Sequence, residues 1–235
     1  MSFPKALLLD AMGTLIGLKR SVGEIYAEVA ADHGLEVEAA VLSRAFAKAY
    51  GQAPPLAFAK VTSSHLEQAE RNWWQQCIQA TFNAAGISNL PIGLGSDLFE
   101  RFGSAEPWLV YPEVPAALER WRQRGLRLVV VSNFDRRLHR LLDSLGLKPL
   151  LDDVLVSSEI GVAKPDPTAL HLALARLDLQ PSQVWHVGDS AADVEAAQRA
   201  GITCLQVIRP GDTIAELSEP TAATAAPAAA LFEAN

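Results

Sequence analysis

The chain has 235 residues, with 20 Lys+Arg against 27 Asp+Glu and a formal charge of −7. With 49% hydrophobic and 20% charged residues it is far from the composition of a disordered chain, and its length allows one large core or a core plus a smaller module. The acidic balance, without a basic run, excludes a nucleic-acid binder, and the two cysteines, Cys77 and Cys204, have neither a disulfide framework nor zinc-ligand spacing.

Residues 5–9 form a short apolar run between Pro4 and Gly13, as expected of a strand buried on both faces. Asp10 interrupts that run too early for a signal peptide or membrane helix, so a cytoplasmic protein with no membrane partner is expected. From about residue 18 to 107 the pattern is helical, with candidate helices at 21–33, 38–50, 65–85 and 94–102 separated by Gly- and Pro-bearing breaks. Strands are predicted at 126–131, 153–156, 184–187 and 203–208, alternating with helices at 115–124, 135–145, 167–177 and 193–200. Such alternation predicts an α/β fold: a parallel five-stranded sheet with helices on both faces and an all-helical insertion after strand one. The resulting division is a core of 1–17 and 108–212, an insertion of 18–107, and an Ala-rich tail of 213–235 expected to fray, with Leu231 and Phe232 able to dock.

Parallel sheets place their sites at the carboxyl ends of strands. There the chain presents Asp10-Ala-Met-Gly-Thr14, then Ser132-Asn133, then Lys164-Pro-Asp-Pro167 after strand three, then Gly188-Asp-Ser-Ala-Ala-Asp193. A lone Asp after a strand is more often a turn former, but four successive strand ends bearing these groups describe one site. Asp10 offers a carboxylate nucleophile. Asp10, Asp189 and Asp193 offer hard oxygen ligands suited to Mg²⁺. Thr14 and Ser132 donate hydrogen bonds to phosphoryl oxygens, Lys164 adds a fixed positive charge, and Gly13 and Asn133 are assigned to substrate binding.

These motifs, in this order, resemble those of the haloacid dehalogenase superfamily. The resemblance covers about residues 1–17 and 108–210, and the insertion falls where that superfamily places its C1-type cap. The strings 131–137 and 164–167 are similar to a narrower branch named after a rhythmically expressed fly protein. The resemblance implies a Rossmann-like core, an aspartyl-phosphate intermediate, Mg²⁺ held partly by the Met12 backbone carbonyl, a small phosphorylated substrate chosen by the cap, and hinges near Gly17 and Pro107. A monomer is the default, with a weak homodimer through exposed apolar cap residues as the variant.

One position departs from the pattern. Phosphatases of the superfamily carry a second Asp where this chain has Met12, and methionine has no proton to give a leaving alcohol. Three readings follow: a phosphohydrolase, of low activity or one that uses good leaving groups or another acid supplied by the cap; a Mg²⁺- and phosphate-binding regulatory protein; or a 2-haloacid dehalogenase. The last suits Met12, because halide leaves unprotonated. It conflicts with the intact Asp189 and with Leu170, which stands where those enzymes usually have Tyr. Other residues take plainer roles: His186 as a satisfied core histidine, Trp73 and Trp74 as cap packing, Asp135 as a helix N-cap, and Arg136-Arg137, Lys19 and Arg20 as either anion contacts or solvated charges. Glu159 is weighed as a partner for Lys164.

Overall fold

The computed structural model describes residues 3–209 and 224–227. Its strands are β1 (Ala6–Leu9), β2 (Ile16–Leu18), β3 (Trp108–Val110), β4 (Arg127–Ser132), β5 (Asp153–Val156), β6 (Val184–Gly188), β7 (Thr203–Ile208) and β8 (Thr224–Pro227). Its α-helices are α1 (Val22–Asp32), α2 (Ala39–Gln52), α3 (Ser63–Ala84), α4 (Leu94–Gly103), α5 (Val114–Gln123), α6 (Arg137–Ser144), α7 (Ser157–Ile160), α8 (Thr168–Leu177) and α9 (Ala191–Ala200).

By internal contacts the chain divides into two compact units. One comprises the residues up to Gly17, the short segment Ala57–Ala59, and the residues from Val110 onward; the other comprises Leu18–Leu56 and Lys60–Leu109. The first unit is an α/β layer structure whose sheet runs β5-β4-β1-β6-β7-β8, with parallel pairing throughout. The five strands expected from the apolar runs are all present. Thr224–Pro227 adds a sixth, placing a short strand inside the segment expected to fray; the rest of 213–235, with Leu231 and Phe232, lies outside the described residues.

β1 lies between β4 and β6, with Leu9 level with Val130 on one side and Val187 on the other. The chain passes outward from β1 through β4 to β5, then returns to β6 on the far side, so the order reverses at β1. A crevice at the carboxyl end of such a reversal is the preferred ligand position in open α/β sheets. Both faces of β1 are covered. Ala6 and Leu8 join Val131, Leu155, Ala169, Leu170, Ala173 and Ala197 in a cluster with α8 and α9, while Leu7 and Leu9, alternating to the other face, are equally buried.

The second unit packs α1 to α4 around Tyr26, Leu42, Ile78, Phe82, Leu94 and Leu98. Tyr26 stacks on Phe82 with ring centroids 5.9 Å apart and meets Phe46 and Phe102 edge-on. Trp73 is buried and its indole N–H donates to the Pro54 carbonyl (2.9 Å), while Trp74 packs on Tyr50. Lys19 donates to the Glu106 carbonyl (2.6 Å) and Arg20 pairs with Glu28 (2.5 Å), so both charges have local partners. β2 and β3 form a separate two-stranded sheet that the apolar pattern does not announce, because three residues carry no readable alternation.

Two helix starts differ from expectation for local reasons. Helix α6 begins at Arg137, because the Asp135 carboxylate accepts both the Arg137 backbone N–H (2.9 Å) and its guanidinium (2.9 and 2.7 Å) from the turn before the helix. This buried pair withdraws Arg137 from any solvent-facing anion role. Helix α9 begins at Ala191 because Ser190 caps it, which puts Asp193 in the third helical position rather than at its start.

Candidate active site

The loop after β1 is a tight turn whose backbone bonds converge on two carbonyls: Thr14, Leu15 and Ile16 donate to Ala11 O, and Gly13 donates to Ile16 O. Gly13 has φ +79°, and a Cβ there would lie 2.1 Å from Asp189 Oδ2, so glycine satisfies both the torsion and the close approach. Gly188 makes the same kind of room for Asp193, whose Cγ would lie 2.3 Å from a Cβ at 188. Two glycines thus let two carboxylates close in on the end of β1.

Asp10, Asp189 and Asp193 each present an oxygen within 4.8 Å of the others. Lys164 enters from the loop after β5, donating from Nζ to Asp10 Oδ1 (2.6 Å), Asp193 Oδ1 (2.5 Å) and the Val131 carbonyl (2.8 Å). Its ammonium group is almost wholly enclosed. Asn133 holds the lysine's backbone: its Nδ2–H donates to Lys164 O and its Oδ1 accepts from Lys164 N, both at 2.8 Å. The Asn133 side chain thereby orients Lys164. Ser132 is buried at the end of β4, one residue beyond Val131, whose carbonyl Lys164 binds. Thr14 is fully buried and its hydroxyl donates to Asp189 Oδ1 (3.3 Å). Met12 is 41% exposed.

Asp193 is saturated with donors. Ser190 gives its hydroxyl (2.5 Å) and backbone N–H (3.1 Å) to Oδ2, and His186 Nε2 lies 2.9 Å from Oδ1. His186, completely buried, meets the Leu8 carbonyl through Nδ1 (2.9 Å), which accounts for both ring nitrogens and fits the core-histidine reading. Asp193 is thus the holder of Lys164 more than an open ligand. Leu170 is buried in the α8 cluster, and Glu159 pairs with His139 (2.9 Å) rather than with Lys164.

The electrostatics follow from three carboxylates meeting one ammonium in a buried place. Burial raises the Asp10 carboxyl; Lys164 pulls it back and Asp193 adds to the rise. Burial, then Asp10 and Asp193, push Asp189 up to about 7. For Asp193 burial acts upward, yet Lys164 and His186 outweigh it and hold the carboxyl far below the ordinary range. The same carboxylates hold the Lys164 ammonium above the ordinary lysine value against the opposing effect of burial. Lys164→Met is expected to cost about 3–5 kcal/mol in denaturant unfolding, because removing one partner of a buried pair strands its counter-charges. An unfolding midpoint equal to that of the native chain would refute this account of the cluster.

Two contacts at this edge lie beyond what the motifs suggest. Gln206 of β7 is buried and donates to the Asp189 carbonyl (3.2 Å). Arg209, just after β7, donates to the carbonyls of Gly13 (2.9 Å) and Thr14 (2.5 Å). A polar residue at 206 in an apolar strand is a weak sequence signal; Arg209 offers none.

Comparison with known proteins agrees with this architecture. Residues 4–201 match the family model of haloacid dehalogenase-like hydrolases. The chain is 37% identical over 209 residues to the bovine haloacid dehalogenase-like hydrolase domain-containing protein 3, covering 88% of this chain and 82% of that one. Over 92 residues it is 38% identical to a phosphoglycolate phosphatase of Aquifex aeolicus, covering 39% of this chain and 43% of that one. The crystal structure of an L-2-haloacid dehalogenase superposes with a TM-score of 0.71 at 22% identity, covering 99% and 98% of the two chains, a likeness of fold. On the family match and the extent of the bovine relationship, the chain belongs to the haloacid dehalogenase-like hydrolases.

Proposed function

We propose that the chain is a Mg²⁺-dependent phosphohydrolase acting on a small phosphorylated metabolite, with Asp10 as nucleophile. The observation that carries this reading is the enclosed cluster of Asp10, Asp189, Asp193 and Lys164 at the point where the strand order reverses. The resemblance to a phosphoglycolate phosphatase over 92 residues supports phosphoryl chemistry over other hydrolase chemistry.

The residues fit a hard divalent cation. All of the side-chain donors are carboxylate oxygens, and an Asp189 carboxyl raised to about 7 marks a site short of positive charge. Asp10 and Asp189 would hold the ion together with the Met12 carbonyl, which takes none of the turn's own backbone bonds. Bound there, it supplies the positive charge that lets a carboxylate meet a phosphate dianion.

Lys164 engages one oxygen of Asp10, leaving Oδ2 to attack phosphorus. The bond to the leaving oxygen breaks as the acyl phosphate forms, and water then cleaves the acyl phosphate to return the carboxylate and release inorganic phosphate. Lys164 keeps a fixed positive charge beside the attacking carboxylate, Thr14 supports Asp189, and Ser132 is the hydroxyl left to donate to the transferring group. Met12 gives the leaving oxygen no proton, so aryl phosphate esters and acyl phosphates, whose leaving groups depart unprotonated, are the favoured substrates. No helix among the described residues is long and apolar enough to cross a membrane. With two buried free cysteines, the working assignment is a cytoplasmic monomer.

The test is phosphate release from p-nitrophenyl phosphate, acyl phosphates, sugar phosphates and nucleotides, with Mg²⁺ and with chelator. Release confined to the Mg²⁺ arm and strongest for good leaving groups is expected. Halide displacement from 2-haloacids, favoured by Met12 alone, is checked in parallel. Halide release without metal, and no phosphate release, would overturn the phosphohydrolase reading.

A further inference from the structure

We propose that Arg209 is a positioning residue for the nucleophile loop, gripping it through backbone carbonyls; its catalytic consequence rests on the phosphohydrolase reading above. β7 supplies none of the three clustered carboxylates, yet the residue that follows it sends a guanidinium into the turn after β1. Nε–H donates to the Gly13 carbonyl (2.9 Å) and an Nη2 hydrogen to the Thr14 carbonyl (2.5 Å). Nη1 pairs with Glu113, and the guanidinium carbon sits 3.4 Å above the Tyr111 ring centroid. The side chain is only 11% exposed, so this is a seated group and not a surface charge.

The consequence follows from what it holds. Gly13 sits at positive φ and faces Asp189 where no Cβ would fit, so it is a residue without a side chain to help fix its own peptide planes. The turn's own N–H groups are bonded within it, and Arg209 adds a restraint from outside on the carbonyls of Gly13 and Thr14. By fixing two successive carbonyls, Arg209 sets the planes on either side of Thr14, and hence the direction of the Thr14 hydroxyl toward Asp189. It also holds the turn that carries Met12 and follows Asp10. Gln206, from the same strand, grips the Asp189 carbonyl in the neighbouring loop, so the end of β7 braces both loops of the cluster from behind. The guanidinium meets its three acceptors with three separate nitrogens, Nε, Nη1 and Nη2, in one fixed plane; a lysine at 209, with a single nitrogen, does not reproduce that spacing.

The test compares Arg209→Lys and Arg209→Gln with the native chain by amide hydrogen exchange and by steady-state kinetics on p-nitrophenyl phosphate with Mg²⁺. Exchange in the 10–17 segment should accelerate about tenfold in both variants while β4 keeps its protection, the mark of a local opening. kcat should fall about 10- to 100-fold, as expected for a misplaced reacting group, with KM changed less than about threefold and no rescue by lysine. Unchanged exchange in 10–17, exchange raised equally throughout, or altered exchange with native kcat would each overturn the proposal. If the native chain releases no phosphate, the phosphohydrolase reading fails by itself, and the exchange comparison still decides whether Arg209 holds the loop.

Discussion

Asp10→Asn is expected to reduce Mg²⁺-dependent phosphate release by about 10⁴-fold or more, because the amide lacks the anionic oxygen that must bond to phosphorus. The fold should not suffer. Asp10 shares its enclosure with two other carboxylates and one ammonium, and burial already disfavours its ionised form. Removing that charge relieves repulsion with Asp189 and Asp193 while Lys164 keeps Asp193 (2.5 Å) and the Val131 carbonyl (2.8 Å). Thermal unfolding of the metal-free variant should therefore occur at or above the native midpoint. Residual turnover within about tenfold of native would show that another group attacks phosphorus.

Met12→Asp carries the second large effect and runs in the opposite direction. A carboxyl at 12 supplies the proton that an alkoxide needs on departure, a contribution worth about 10²- to 10⁴-fold. The gain should be selective: large for alkyl and sugar phosphates, small for p-nitrophenyl phosphate. Because Met12 is an exposed residue (41%), the substitution buries no new charge and should leave stability near native. The decisive quantity is the ratio of kcat/KM for an alkyl phosphate to that for an aryl phosphate, before and after substitution. An equal change in both would sink the explanation. Activity present only in the substituted chain would favour the regulatory phosphate-binding reading of the native one.

Much of this site is legible in the sequence because its strands are buried on both faces and end abruptly. Asp10, Ser132 and Asp189 stand at strand ends, which brings them to one edge of the sheet, and Lys164 reaches Asp10 there from beyond the short helix α7. Side-chain direction is another matter. Asn133 sits where a ligand contact belongs, yet both ends of its amide are spent on the backbone of Lys164, a pairing across 31 residues that no local pattern encodes. Asp193 reads as an acidic ligand, while its capping of α9 and its grip on Lys164 depend on where that helix begins. Arg209 looks like a charge at a strand end, and only the packing of Tyr111 and Glu113 beneath it reveals the carbonyls it reaches. The narrow strands β2 and β3 carry too few residues for any periodicity.

The central place of β1 also bears on how the molecule is made. Ala6 pairs with Arg127 on one side and with Val184 on the other, so β1 leaves the ribosome well before either of its neighbours. At about 5–20 residues per second, on the order of ten seconds or more separates its emergence from that of β6. Meanwhile the helical unit, ending at Leu109, can fold with nearly all of its partners already synthesised. Until β4 emerges, Ala6-Leu-Leu-Leu9 is an unpaired apolar ribbon with two free edges, and until β6 emerges one edge stays open. The strand that centres the finished sheet is thus the nascent chain's most exposed point for chaperone capture or mispairing.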